Sequence, residues 1–342
     1  VILPNTVRII DRNAFFRCTS LKEVVLSDNI EIIGDFSFTQ TSITSITIPA
    51  NVNTIGKYAF FGCEQLTEVF LNEKLKTISD FAFSKTSITS IHIPSSVKTI
   101  GRNVFDNCIK LHEIKFSKKP KLKWVHERTF SNTFITRIFN LNNHHINDQL
   151  LIDKSNNKLL FANRDIQVAN IPSDIKVIGL SAFRQCYSLK YVHFEMDENG
   201  LTNLALIHDY AFSDCKSLVM ISIPSTVKMI SKSSFSHCEK LQKVKFRTDC
   251  NGNCKLLYID DDAFSYTAIK SLNIPHSATC STHFCRSANQ LESLELRSPD
   301  FVFAEIDSQQ LQLISLPQSC KVSFNQLSSC KSMFVHHNTH FV

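Results

Sequence analysis

The chain has 342 residues, of which 43% are hydrophobic and 20% are charged, with a formal net charge of +6 and a pI near 8.7. Lys and Arg are spread along the whole chain, which argues against a nucleic-acid-binding protein, because such proteins concentrate their cations on one face. No apolar stretch reaches the roughly 18 residues of a membrane-spanning helix, so no membrane span is expected. The chain starts at Val1 inside a repeat and is therefore expected to be a fragment.

Two stretches of the chain are nearly the same. The first, FTQTSITSITIPANVNTIGKYAFFGCEQLTEVFL, begins at Phe38, and the second, FSKTSITSIHIPSSVKTIGRNVFDNCIKLHEIKF, begins 45 residues later at Phe83. The 45-residue block holds two repeats of 22 and 23 residues, and one repeat has Cys where the other has Thr. Self-similarity at a fixed spacing predicts repeats that stack into a solenoid, with an extended surface rather than a pocket.

Each repeat follows the pattern P-x-x-V-x-x-I-x-x-x-A-F-x-x-C-x-x-L-x-x-V-x-L. Its end alternates between apolar and polar residues, as in Ile91-His92-Ile93, which predicts a short strand with one buried face. Pro94 and its equivalents have no N–H group to donate to a ladder and are expected to end the strand. The A-F-x-x-C segment is expected to form a helical turn whose Phe points inward, where each ring stabilises the fold by about 1.5–3 kcal/mol. This Phe recurs at Phe15, Phe38, Phe60, Phe83, Phe105, Phe130, Phe183, Phe212, Phe235 and Phe264.

The repeats predict a single solenoid domain over residues 1–342. Residues 1–140 are regular repeats, and residues 141–171 form an atypical, hairpin-like repeat that lacks the A-F-x-x-C core. Residues 172–296 return to the pattern with longer connections after two of the strands. The pattern decays over residues 297–342, which predicts a degenerate C-terminal cap, because terminal repeats must close an open core.

The strings IPANVNTIGKYAFFGCEQLTEVFL and IPSTVKMISKSSFSHCEKLQKVKF resemble the BspA-like, or Treponema-type, leucine-rich repeats over roughly residues 3–296. The alternating T-S-I-T-S-I repeats look most like the versions in the protists Trichomonas and Entamoeba. This resemblance implies a right-handed leucine-rich repeat solenoid with a parallel β-sheet on its concave side, and short strands and helical turns on the other faces. It also implies a cell-surface protein that binds extracellular matrix, host cells or other microbes.

Six of the twelve cysteines lie at one position of the repeat, and Cys330 is expected to lie there too. Other repeats have Thr there, at Thr41, Thr86, Thr133 and Thr267, and Thr cannot replace a disulfide partner. The repeat cysteines are therefore interpreted as reduced, buried, small residues. They are Cys18, Cys63, Cys108, Cys186, Cys215 and Cys238.

Four cysteines and one histidine lie in connections that stack if the repeats are in register: Cys250, Cys254, Cys280, His283 and Cys285. Free thiols are the preferred interpretation, followed by disulfides and then by a zinc site. The spacing matches no known zinc finger, so these residues are candidates for a metal site rather than a recognised one. Cys320 is left unassigned.

Strand residues that flank the central buried one are expected to face the concave side, where their middle positions form a column. Its members Phe70, His92, Lys115 and Phe139 lie in four consecutive repeats and predict a strip of two aromatic rings around an imidazole and a cation. Exposed aromatic residues are common at protein interfaces, and the alternative is that they only stabilise the sheet. We call these four residues the strip.

The sequence contains no G-x-S-x-G, H-E-x-x-H, Walker A or G-x-G-x-x-G motif, so neither catalysis nor a cofactor is predicted. The favoured hypothesis is a non-enzymatic recognition or adhesion protein at the cell surface or secreted, which binds a protein, matrix or host-cell partner through the concave sheet. Self-association is a further option. The alternative is an intracellular scaffold, which fits the absence of any N-x-S/T glycosylation sequon.

Overall fold

The computed structural model describes residues 1–117, 121–126, 128–139, 149–153, 155–281, 283–296, 298, 312–317 and 332–336. The chain forms two compact bodies, an N-terminal body of Val1–Asp153 and a C-terminal body of Lys154–Val342. Each body is a parallel β-solenoid built from stacked repeats. The single domain predicted for residues 1–342 stays a prediction.

Two-residue strands alternate with strands of three or four residues over most of the N-terminal body. They are β1 (Ile9–Ile10), β2 (Ile32–Ile33), β3 (Ser45–Thr47), β4 (Thr54–Ile55), β5 (Glu68–Phe70), β6 (Thr77–Ile78), β7 (Ser90–Ile93), β8 (Thr99–Ile100), β9 (Glu113–Phe116), β10 (Trp124–Val125), β11 (Arg137–Phe139) and β12 (Leu150–Asp153).

The C-terminal body continues the alternation. Its strands are β13 (Lys158–Ala162), β14 (Val168–Ile171), β15 (Val177–Ile178), β16 (Tyr191–Phe194), β17 (Leu206–Ile207), β18 (Met220–Ile223), β19 (Met229–Ile230), β20 (Lys243–Phe246), β21 (Tyr258–Ile259), β22 (Ser271–Ile274), β23 (Thr279–Cys280), β24 (Ser293–Leu296), β25 (Leu313–Pro317) and β26 (Ser332–His336).

Within each body, the two strand types form separate parallel ladders. The two-residue strands pair in the orders β1-β2-β4-β6-β8-β10 and β15-β17-β19-β21-β23. The longer strands pair as β3-β5, β7-β9-β11, β14-β16 and β18-β20-β22-β24-β25-β26, and we call them the long-strand sheet. Its burial alternates as predicted: in β7, Ile91 and Ile93 are buried while Ser90 and His92 are exposed. Pro94 follows the last residue of β7, as the prediction that Pro ends the strand requires.

A column of stacked phenylalanine rings forms the core of each body. In the N-terminal body, the ring of Phe60 lies between those of Phe38 and Phe83, with both centroid separations at 5.3 Å and the planes within 3° of parallel. In the C-terminal body, the same stacking joins Phe183, Phe212, Phe235 and Phe264. Every one of the ten predicted rings is buried except Phe15, which is half-buried at the first repeat. The predicted inward-facing column is therefore confirmed within each body.

The A-F-x-x-C segments form turns, and the expected helical turns are not found, because the described residues contain no helix. In the third repeat, backbone N–H groups donate alternately to the next repeat and within their own turn. Phe60 donates to the carbonyl of Ala82 in the next repeat (2.8 Å), whereas Phe61 donates to the carbonyl of Tyr58 (3.1 Å). An α-helix requires each N–H group to donate four residues back, so this alternation cannot be a helix.

Left-handed backbone conformations produce this alternation. Tyr58 (φ 56°) and Gly62 (φ 69°) lie two residues before and two residues after Phe60. A non-glycine residue in this conformation costs about 1–2 kcal/mol, and the hydrogen bonds between repeats offset that cost. The same pair of positions is left-handed at Asn13 and Arg17, Phe36 and Gln40, Phe81 and Lys85, Asn103 and Asn107, Ser181 and Gln185, Tyr210 and Asp214, Ser233 and His237, and Asp262 and Tyr266.

The irregular segments keep strands that the repeat pattern alone does not place. Part of the atypical segment 141–171 lies outside the described residues, but β12 and β13 occur on either side of the polar turn at 155–157. In the segment read as a degenerate cap, β25 pairs with β24 and β26 pairs with β25, all in parallel. The long-strand sheet therefore continues past the last clear repeat.

Candidate functional site

The long-strand sheet positions the strip predicted from sequence. His92 is the register partner of Lys115, and Lys115 is the register partner of Phe139, so these three residues follow each other across β7, β9 and β11. Phe70 lies in β5, where its register partner is Thr47 of β3. The column is thus carried by two ladders, β3-β5 and β7-β9-β11, rather than by one uninterrupted ladder.

The solvent-facing side of the strip is partly apolar and partly charged. The Phe70 side chain is 57% exposed, so it does not belong to the core. His92 Nε2 lies 2.7 Å from Ser117 Oγ. The Phe139 backbone lies in β11, and its side chain falls outside the described part of the structure.

The cation of the strip is held by a neighbouring carboxylate. Lys115 Nζ lies 2.9 Å from Glu113 Oε1, and Arg137 Nη1 lies 3.9 Å from the other oxygen of the same carboxylate. The two cations are more than half exposed, so solvent screens these pairs and each contributes little to stability. They do fix the direction of the Lys115 side chain, and the Glu113 carboxylate offsets one of the two positive charges.

The repeat cysteines are buried thiols, as predicted, with one exception. Cys63 Sγ donates to the carbonyl oxygen of Phe38 in the previous repeat at 3.0 Å, and it lies 3.3 Å from Thr41 Oγ1. Cys108 makes the equivalent contacts, and burial raises the pKa of its thiol to about 11. The exception is Cys18, in the first described repeat, which is exposed.

The candidate metal ligands differ in their burial. Cys250 is exposed in its connection, whereas Cys280 and Cys285 are buried, and burial raises the pKa of both buried thiols. His283 Nδ1 lies 3.8 Å from Asp261 Oδ1, far enough for only a weak ion pair if the ring is protonated. Within the described residues, no group of three His, Cys, Asp or Glu side chains is placed to hold a metal ion. All ten described cysteines are free thiols, and Cys320 lies outside the described residues.

The family follows from the repeats themselves. The family model described as "BspA type Leucine rich repeat region" matches in 6 copies, over residues 1–111, 76–159, 154–291 and 256–339. The chain belongs to the BspA-type leucine-rich repeat family. The resemblance drawn from the repeat strings is thereby confirmed, while the closer likeness to the protist versions stays a prediction.

Three bacterial proteins of known structure share this fold. A leucine rich cell surface protein from Faecalibacterium prausnitzii has 21% identity and a TM-score of 0.52, over 99% of this chain and 79% of that chain. The pneumococcal vaccine antigen PcpA has 17% identity and a TM-score of 0.58, over 86% of this chain and 79% of that chain. A leucine-rich repeat protein from Eubacterium ventriosum has 18% identity and a TM-score of 0.56, over 90% of this chain and 82% of that chain.

These likenesses establish the leucine-rich repeat fold of this BspA-type chain. None of the descriptions names an enzyme. A comparison with curated proteins found no match. In the described part of the chain, no helix is long and apolar enough to cross a membrane.

The BspA-type repeats carry two further apolar groups that the sequence analysis did not predict, the first exposed and the second half-buried. On the long-strand sheet of the C-terminal body, Tyr191 is 54% exposed, its register partner Val168 is also exposed, and Met220 lies in the next long strand. On the turns of the N-terminal body, the rings of Phe36 and Phe81 stack on either side of Tyr58, at 4.8 and 4.7 Å. A signal existed for the second group, because an aromatic residue precedes the core Phe by two positions in three successive repeats.

Proposed function

We propose that this chain is a non-enzymatic recognition protein, at the cell surface or secreted, that binds a protein, matrix or host-cell partner through its long-strand sheet. The observation that carries the proposal is the exposure of Phe70, a large aromatic side chain that the core does not use. Membership of the BspA-type family supports it, as does the fold shared with a bacterial cell surface protein.

The physical basis is a rigid display of side chains. Parallel pairing fixes the register of each long strand, and the stacked Phe core below it fixes the position of the whole repeat. Solvent-facing side chains therefore need little ordering when a partner binds, which lowers the entropic cost of association. A stack of short repeats supplies many such positions without a pocket.

The strip has the composition of an interface anchor with a polar rim. Phe70 offers apolar area, and aromatic residues are enriched at the centres of protein interfaces. His92 and Lys115 add directional contacts, with Ser117 and Glu113 holding them in place. This combination suits a partner with an apolar patch and nearby hydrogen-bonding groups better than it suits a polyanion, because Lys115 is already paired.

Binding to cells and matrix tests the proposal. The fluorescently labelled chain is applied to cultured epithelial cells and to surfaces coated with extracellular-matrix extract. Phe70→Ala combined with Phe139→Ala should abolish binding and leave the melting temperature nearly unchanged. The matched control combines Phe16→Ala with Ile109→Ala, which removes two exposed apolar side chains from turns of the same body. Binding that survives the strip variant, or an equal loss in the control, would contradict the strip as the recognition surface.

An intracellular scaffold is the second candidate. Two observations favour it: the ten described cysteines are free thiols, and the sequence has no N-x-S/T sequon. Reduced cysteines are typical of cytosolic proteins. Antibody labelling of intact and permeabilised cells of the source organism separates the two candidates. Labelling of intact cells supports the surface protein, and labelling only after permeabilisation supports the scaffold.

A further inference from the structure

The long-strand sheet of the C-terminal body opens between β20 and β22. Strands β18 and β20 are paired over four residues, and so are β22 and β24. Between β20 and β22, the pairing is limited to Lys243 and Ser271, and the strands diverge beyond that pair. The connection between these two strands is one of the two long ones, which places about six extra residues beside the opening.

A groove of about 810 Å³ lies at this opening. Its lining includes three lysines, Lys243, Lys245 and Lys270, together with the uncharged polar residues Ser271 and Asn273. No aspartate or glutamate is among the residues that line it. Lys270 Nζ lies 3.6 Å from Glu292 Oε1 in an exposed pair, and the structure shows no ion pair for Lys243 or Lys245 within the described residues. The groove therefore presents uncompensated positive charge.

The spacing of the two unpaired lysines matches that of an extended chain. Lys243 and Lys245 are alternate residues of β20, and both are exposed while Val244 between them is buried. Alternate residues of a strand point to the same face and lie roughly 6.6–6.8 Å apart. Carboxylates on every second residue of an extended peptide repeat at the same distance. Such a peptide, lying along β20, could place one carboxylate near each lysine.

We propose that this groove binds an extended acidic peptide segment of a protein partner, with Asp or Glu at alternate positions. Lys243 and Lys245 select the carboxylates, Lys270 adds positive charge from the neighbouring strand, and the polar groups of Ser271 and Asn273 hydrogen-bond the peptide. The buried apolar residues Val244 and Ile274 also line the groove. This site goes beyond the proposed strip, because it lies in the other body and shares no residue with it.

Fluorescence anisotropy with defined peptides tests this site on the full chain. The probe is a short fluorescein-labelled peptide in which Glu alternates with Thr. One comparison peptide has Gln in place of every Glu, and another carries the same number of Glu at every third position. We expect the alternating peptide to bind most tightly, and its affinity to fall as salt is raised, because exposed charges are screened.

Two matched variants assign the binding to the groove. Lys243→Gln combined with Lys245→Gln should raise the Kd of the alternating peptide about tenfold, since each exposed ion pair is worth up to about a factor of five. Lys228→Gln combined with Lys232→Gln removes the same charge from exposed residues outside the groove and should change the Kd less than about twofold. Because all four lysines are exposed, both variants should keep the melting temperature of the parent chain.

Four results would overturn the proposal: equal binding of the Gln peptide, equal binding of the peptide with Glu at every third position, an equal loss in the Lys228 and Lys232 variant, or no peptide binding at all. A heparin fragment and inorganic phosphate are tested separately, each for binding to the chain and for competition with the labelled peptide. If heparin binds in the groove and the alternating peptide does not, the ligand is a sulfated glycan and the peptide proposal fails. The strip variant at Phe70 and Phe139 leaves the groove intact, so failure of this site and failure of the proposed function can be told apart.

Discussion

The replacement Phe60→Ala tests whether the stacked phenylalanine column holds the repeats together. The Phe60 ring is fully buried and stacks on Phe38 and Phe83 at 5.3 Å on both sides. Truncation of a buried Phe to Ala generally costs about 3–5 kcal/mol, because it removes apolar burial and leaves a cavity. Both neighbours are themselves held in turns that are hydrogen-bonded to the next repeat, so the cavity has little freedom to collapse. We therefore expect the free energy of unfolding to fall by about 4 kcal/mol.

Two further Phe replacements calibrate this loss with the same side-chain change. Phe15→Ala removes a half-buried ring that stacks on one neighbour, Phe38, at 5.0 Å, and it should cost about half as much as Phe60→Ala. Phe70→Ala removes a ring that is 57% exposed, and it should cost less than about 1 kcal/mol. Urea unfolding followed by circular dichroism gives all three values, provided that the dependence on urea is unchanged. A Phe60→Ala variant no less stable than Phe70→Ala would refute the column as the core.

Three predictions concern the cysteines. Cys63→Thr should change the free energy of unfolding by less than about 1 kcal/mol, because Thr86 occupies the equivalent site and donates to the carbonyl of Phe83 in its own turn. Cys63→Leu should lower the free energy of unfolding by about 1–3 kcal/mol, because the larger side chain overpacks the core. Equal losses for the two variants in urea unfolding would contradict this prediction. Iodoacetamide should label exposed Cys250 before buried Cys108 in the native chain, and mass spectrometry showing either residue in a disulfide would contradict it. Burial raises the pKa of the Cys108 thiol from 9.0 to about 11. Below pH 9 the thiol is neutral in both the folded and the unfolded chain, and above pH 9 it ionises first in the unfolded chain. The free energy of unfolding should therefore fall between pH 9 and pH 11, by up to about 3 kcal/mol for this residue, and Cys108→Thr should flatten that fall in alkaline denaturation curves.

The sequence predicted the core and the strands because both depend on spacing within one repeat. The recurring Phe, the alternation of Ile91, His92 and Ile93, and the Pro that ends each strand are visible in a single repeat and are reinforced by repetition. The turns could not be predicted in the same way. The A-F-x-x-C spacing fits either a helical turn or a turn with a left-handed residue on each side of the Phe. The two differ in whether the Phe60 N–H group donates within its own repeat or to the carbonyl of Ala82 in the next one.

Features that depend on two repeats at once escaped the sequence. The glycine after the short strand is needed for a reason that a single repeat does not show. A Cβ on Gly56 would lie 2.5 Å from the backbone of Gly34 in the previous repeat, so the glycine permits close stacking. The opening between β20 and β22 is of the same kind, because it depends on how far a long connection separates neighbouring strands. The contact of Arg137 in β11 with Glu113 in β9 also joins two repeats, and the sequence analysis did not predict it.

Photocrosslinking at the long-strand sheet tests recognition through this surface most directly. Benzoylphenylalanine is introduced in place of Phe70 in one protein and in place of Phe16 in another, so that an exposed aromatic residue is replaced on the sheet and on a turn of the same body. Each protein is bound to intact epithelial cells or matrix extract and irradiated. Recognition through the sheet predicts a discrete crosslinked partner from position 70 and none from position 16. A crosslink from position 16 alone would contradict it.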